Sequence, residues 1–194
     1  WGYRRHRALL LQTIASQVNH IDVTTAVEDC GLTHTCDESR RMDPTIETPQ
    51  RTGLDLVRAS FAAGGSPRGI GKTMRFKGTS ADVGRVVLEG FPDEDFYNPL
   101  GTVHGGYAAT MLDAAMGLAT HTAIPIDCGY STIDLNVTYL KALRADSAPV
   151  TAEGRAIHVG RRLVACEAQL KDRHGKLCAR ATATFMVIAR GDSA

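Results

Sequence analysis

The apolar residues of this chain change their period once, and that change limits its possible folds more than any other feature. From Gly105 to about Thr122, Tyr107, Ala108, Met111, Leu112, Ala115, Met116, Leu118 and Ala119 cover most of a helix circumference. A helix that is apolar nearly all round is a buried helix. Beyond it the period drops from 3.6 to 2. Ser131, Ile133, Leu135, Val137 and Tyr139 alternate with Thr132, Asp134, Asn136 and Thr138. A weaker strand is predicted over Val150 to Val159, and two clear ones over Val164 to Lys171 and Leu177 to Phe185. The connections Gly160-Arg161 and Asp172-Arg173-His174-Gly175 have hairpin length, so these strands are antiparallel neighbours. Upstream, the pattern predicts a short helix over Leu54 to Phe61, a weak strand over Thr73 to Lys77, a stronger one over Gly84 to Glu89, and a turn at Asn98-Pro99-Leu100-Gly101. Together these elements predict an α+β architecture, with an antiparallel sheet wrapped around one long central helix.

That pattern starts at Gly53. Residues 53–190 are read as one domain, large enough to bury a core without staples. Residues 1–52 are read as a poorly ordered extension and linker. They begin with Arg4, Arg5 and Arg7 and no acid over the first twenty positions, and then turn acidic. This Arg-rich start has some likeness to an organellar presequence, although Gln12 and Thr13 interrupt the apolar run that a secretory signal needs. Twenty-two basic against twenty-one acidic residues give a formal charge of +1, which argues against a nucleic-acid partner. No apolar run reaches the roughly 18 residues of a membrane span. Five cysteines, Cys30, Cys36, Cys128, Cys166 and Cys178, form no CxxC pair. Cys30, His34 and Cys36 supply only three clustered candidate ligands. No metal or cofactor is expected, and the expected compartment is the reducing cytoplasm.

The chemistry is expected on the long helix. Asp113 is its only acid, and a carboxylate on an apolar helix is costly unless a partner or a ligand offsets it. Gly106, Thr110, Asp113, Gly117 and Thr120 recur at three- and four-residue steps and form one small, polar stripe. The pattern alone leaves two readings of Asp113, a functional carboxylate or an interface acid. Val103-His104-Gly105-Gly106 opens the helix, where unpaired N–H groups and the helix dipole can polarise a carbonyl. Asn98 by itself reads as an Asx-turn residue before Pro99. There is no nucleophile elbow, dinucleotide fingerprint or P-loop in a strand-to-helix context.

The run Asn98-Pro99-Leu100-Gly101-Thr102-Val103-His104-Gly105-Gly106, followed by Met111-Leu112-Asp113 and Gly117, resembles the signature of the hotdog-fold acyl-CoA thioesterases, and among them the phenylacetate-pathway (PaaI-type) group. The resemblance extends over about Gly53 to Ile188, including the strand order and the Gly160-Arg161-Arg162 turn. It implies a homodimer, or a tetramer built from dimers, with active sites between subunits. It implies that a thioester carbonyl accepts from the Gly105 N–H, with Gly106 beside it, while Asp113 activates a water. Asn98 would orient the water, His104 would position the loop, and Ser131 would be a helper hydroxyl. Arg161 and Arg162, with Lys141 and Arg144 as weaker candidates, would meet the coenzyme A phosphates. Two other activities fit the same fold: an acyl-thioester hydratase or dehydratase, and a non-catalytic acyl-CoA-binding module. The first would need a proton-shuttling His and acid, and the dehydratase-type proline-flanked loop is absent around His104.

Overall fold

The structure is a computed structural model and describes residues 52–65 and 68–189. The expectations for the extension, including its helix-like start and the Cys30, His34 and Cys36 group, fall outside the described residues. The elements in chain order are α1 (Gly53–Ala62), α2 (Ile70–Thr73), β1 (Phe76–Asp82), β2 (Arg85–Gly90), a 3-10 turn (Glu94–Phe96), α3 (Gly105–Ala123), β3 (Cys128–Tyr139), a second 3-10 turn (Ala145–Ser147), β4 (Val150–Val159), β5 (Leu163–Lys171) and β6 (Leu177–Ala189).

Six strands form one antiparallel sheet in the order β1-β2-β4-β5-β6-β3, and it wraps around α3 as the period change predicts. The concave face carries Val86 and Leu88 of β2, Val150 and Ala152 of β4, Val164, Cys166, Ala168 and Leu170 of β5, and Ala179, Ala181, Ala183 and Phe185 of β6, all buried. Against them α3 sets Tyr107, Met111, Leu112, Ala115, Met116 and Ala119, also buried. The small residues on β4, β5 and β6 let the helix lie close. At Gly154 of β4 an added Cβ would stand 2.4 Å from the Ala115 carbonyl carbon, so strand and helix touch backbone to backbone.

α1 starts with a capping box: Asp55 N–H donates to Thr52 Oγ1 at 3.2 Å and Thr52 N–H donates to Asp55 Oδ2 at 2.8 Å. Its first residue rests on the far end of α3, where a Cβ on Gly53 would lie 2.0 Å from the His121 carbonyl oxygen. Cys128, Cys166 and Cys178 are buried. No helix of the described residues is long and apolar enough to cross a membrane.

One expectation needs correction. The segment around Thr73 is the end of a helical turn, and the strand runs over Phe76–Asp82. Sequence periodicity missed it because Gly78, Thr79, Ser80 and Ala81 are small or polar and show no apolar alternation. Along the small, polar stripe of α3 the exposure changes from one end to the other. Gly117 and Thr120 are buried, the first under the Tyr130 ring and the second against Cys166, with Thr120 Oγ1 and Cys166 Sγ 3.2 Å apart. Only Gly106, Thr110 and Asp113 remain half-exposed.

Candidate active site

The loop before α3 is fastened from several sides. Asn98 Oδ1 accepts from Leu100 N–H at 2.9 Å and Thr102 N–H at 3.3 Å, and Asn98 Nδ2 donates to Thr102 Oγ1 at 3.0 Å. Gly101 takes φ +74, which glycine adopts without strain. Within the protomer Asn98 is therefore the Asx-turn residue that closes the loop. Tyr97 pairs with Val103, Val103 N–H donates to Leu143 O at 2.9 Å, and His104 N–H donates to Phe96 O at 2.7 Å. Arg75 fixes the Phe96 turn by ion pairs to Asp93 and Asp95 and by stacking on the Phe96 ring.

His104 caps α3. Its Nδ1 accepts from Gly106 N–H at 2.9 Å, so that nitrogen carries no proton. Gly105 N–H, one residue earlier, makes no hydrogen bond among the described residues and stands at the positive end of the helix dipole. Tyr139, the last residue of β3, lies across Gly105 and donates from its hydroxyl to Gly105 O at 3.0 Å. An open cleft of about 340 Å³ begins here, lined by His104, Gly105, Ala108, Tyr139, Lys141 and Cys178 among others.

Two turns further along α3, Asp113 is half-buried. Its Oδ1 accepts from Thr132 Oγ1 at 3.1 Å. Burial raises its pKa above the ordinary aspartate range, and the Thr132 bond pulls in the opposite direction. Burial, with the Asp113 charge as a lesser cause, also pushes up the Tyr130 phenol, whose ring covers Gly117.

Thr132 was not among the sequence candidates; Ser131 was. The register explains the difference. Thr132 pairs with buried Phe185 and so faces the helix, whereas Ser131 pairs with Met186 on the other face of the sheet. The pairing slips between Thr132 and Asp134, leaving Ile133 as an extra, bulged residue. Past the bulge Leu135, Val137 and Tyr139 face inward, opposite Ala183, Ala181 and Ala179. A uniform alternation puts Ser131 on the same face as Leu135, and the bulge moves it to the other.

The four basic candidates divide between two ends of the sheet. Lys141 lies at the Gly105 cleft, but its ammonium is paired with Asp172 at 2.6 Å. Arg144 precedes the second 3-10 turn. Arg161 and Arg162 are exposed on the β4–β5 hairpin, which is tied to β6 where Val187 N–H donates to Arg162 O at 2.9 Å. The eight residue steps of β3 from Ser131 to Tyr139 put roughly 26 Å between this hairpin's end of the sheet and the Gly105 end. Within one protomer the site is likewise split, because Gly105 and Asp113 are about 12 Å apart along the helix axis.

Residues 100–179, from the turn after Asn98 into β6, match the sequence model of the Thioesterase superfamily. A Halobacterium salinarum protein that bears an esterase name is 45% identical over 62 residues, which are 31% of this chain and 39% of that protein. The 1,4-dihydroxy-2-naphthoyl-CoA hydrolase of Listeria monocytogenes is 25% identical over 61% of this chain and 95% of its own length. Among solved structures, a thioesterase family protein from Silicibacter pomeroyi superposes with a TM-score of 0.62 at 26% identity, covering 71% of this chain and 98% of that one.

Proposed function

Given that the chain carries a Thioesterase-superfamily domain in the hotdog fold, we propose that it hydrolyses acyl-CoA thioesters to the free acid and coenzyme A, as an enzyme of the PaaI-type group. The observation that carries this reading is the pair of groups on α3: a half-buried carboxylate held by a hydroxyl, and a helix-terminal N–H without a hydrogen-bond partner among the described residues. The Listeria relative named as an acyl-CoA hydrolase, matched over nearly its whole length, supports the substrate class.

Asp113 takes a proton from a water, and the oxygen attacks the thioester carbonyl carbon. The negative charge that moves onto the carbonyl oxygen is received by Gly105 N–H, a donor worth about 3 kcal/mol when well placed. The tetrahedral intermediate collapses by breaking the C–S bond, and the coenzyme A thiolate leaves and takes up a proton. Thr132 holds the Asp113 carboxylate in one orientation. The 12 Å separation within a helix is overcome by pairing two protomers with their α3 helices antiparallel, so that Asp113 of one serves the Gly105 terminus of the other. The same pairing brings the Arg161–Arg162 hairpin of one protomer toward the Lys141 and Arg144 end of its partner. The basic candidates then gather around one cleft, where phosphates would bind. Asn98, which closes the loop, reaches the water only through its remaining amide N–H.

The test is a panel of aryl and aliphatic acyl-CoAs with a thiol reagent, run on the unaltered protein and on Asp113→Asn. Thiol release by the first and its loss in the second support hydrolysis. Binding without release makes the domain an acyl-CoA sensor, and a change in enoyl absorbance makes it a hydratase. Reversing the charges of Arg161 and Arg162 should raise KM for acyl-CoA and leave a short thioester lacking the nucleotide almost unaffected. Equal effects on both would exclude phosphate binding there.

A further inference from the structure

Two consecutive glycines open the catalytic helix, and glycine has no side chain to hold its peptide plane. An N–H donor stabilises developing charge only if it is already oriented when the charge appears. The peptide that carries the Gly105 N–H is held within the helix, where Tyr107 N–H donates to His104 O at 2.9 Å, and the peptide after it is held by side chains. The Gly105–Gly106 peptide is held at both ends. Its N–H donates to His104 Nδ1 at 2.9 Å, and its carbonyl oxygen accepts from Tyr139 Oη at 3.0 Å. A rotation of the plane breaks both bonds. The Tyr139 ring also bears on the turn, since a Cβ on Gly105 would meet its Cζ at 3.1 Å and its Oη at 3.2 Å. Tyr139 can reach because the bulge at Ile133 turns the second half of β3 inward.

We propose that Tyr139 is a positioning residue of this active site: with His104 it locks the Gly105–Gly106 peptide, consumes the Gly106 N–H side of the turn, and leaves Gly105 N–H as the single aimed donor, while its ring walls the cleft beside it. The proposal rests on the thioesterase reading for its catalytic consequence and on the two hydrogen bonds for the lock itself. A phenylalanine at this position would keep the wall and lose the lock.

The experiment is Tyr139→Phe in the full chain, with hexanoyl-CoA and phenylacetyl-CoA as substrates. Two further readouts follow the turn directly. One is amide exchange of Gly106 in the substrate-free protein. The other is the ¹³C carbonyl shift of bound phenylacetyl-CoA whose sulfur is replaced by methylene. We expect kcat to fall about tenfold with KM within twofold. Gly106 exchange should accelerate, and the carbonyl shift should move back toward its value in free solution. Unchanged kcat together with unchanged Gly106 exchange overturns the proposal. A change confined to KM also overturns it, by making Tyr139 a wall alone. The unaltered protein and Asp113→Asn separate the levels. If the unaltered protein releases no thiol, the hydrolytic reading falls; if Asp113→Asn keeps full turnover, only the role of Asp113 falls; in both cases the Gly106 exchange rate in Tyr139→Phe still decides the lock.

Discussion

Asp113 works against the stability of its own fold. Burial raises its carboxyl pKa, so the folded protein holds that proton more tightly than the unfolded chain does. The favourable contribution of the protonated form is complete at acid pH and is lost as pH rises through the folded-state pKa. Once ionised, the half-buried group is a burden that the proposed activity requires. Asp113→Asn should lower turnover about 10²-fold or more, yet leave the melting temperature at pH 7 equal or higher. Parallel kinetic and thermal measurements on that variant check this, and a clear fall in Tm would contradict it. The acid limb of kcat/KM should lie above the usual aspartate range, and Thr132→Val, which removes the bond that lowers the pKa, should move that limb further up. A limb that stays put would detach Thr132 from Asp113. The helix acid was visible in the sequence because it interrupts an apolar pattern. Its hydroxyl partner was not, because a one-residue bulge leaves no trace in alternation.

At the scale of elements, the seat of α3 on β4 is the least forgiving contact. A Cβ at Gly154 would meet backbone atoms of Ala115 and Met116 at 2.4 to 2.6 Å, and backbone cannot rotate aside. Gly154→Ala should cost about 1–3 kcal/mol, toward the upper end, read as a shift in denaturant midpoint. Lys141 and Asp172 show a different economy. The Asp172 side chain is 2% exposed, accepts from His174 and Lys176 N–H at 3.0 Å each, and binds the Lys141 ammonium at 2.6 Å. That bond above all, with the hairpin N–H groups, holds its carboxyl down at about 2. A depressed carboxyl stabilises the fold above its unfolded value and loses that contribution as pH falls toward the folded one. Lys141→Met should therefore move acid unfolding to higher pH, with a smaller effect on KM than charge reversal at Arg161 and Arg162. The strands from β3 to β6 and the long helix were legible because each has a sustained period. The start of β1 was not, because its residues are too small and polar to carry one.

For the whole molecule, assembly turns on β3. It is an edge of the sheet, and Ile133, Leu135, Tyr139 and Leu140 are exposed along it. A long apolar edge of this kind is a template for another strand. Its proposed use here is a second protomer, which also unites Asp113 with Gly105. Light scattering should find a dimer or a tetramer, and Leu135→Lys should weaken assembly and activity together. An active monomer would refute the composite site. Mixing Asp113→Asn with Gly105→Pro protomers should restore one working site per mixed dimer, because proline at the first helical position removes the N–H without breaking the helix. A chain begun at Thr52, which keeps the α1 cap, should fold and turn over substrate if residues 1–51 are an appendage. Loss of either would make them part of the working structure.

The backbone contacts at Gly154 and Gly53 also have a consequence in time. Side chains that separate two elements can hop between rotamers and let the elements slide, whereas backbone lying on backbone removes that freedom. The middle and the far end of α3 are each seated in this way, so substrate cannot enter by displacing the helix. Amide exchange should accordingly be slowest around Ala115 and Met116, where the helix backbone lies on Gly154.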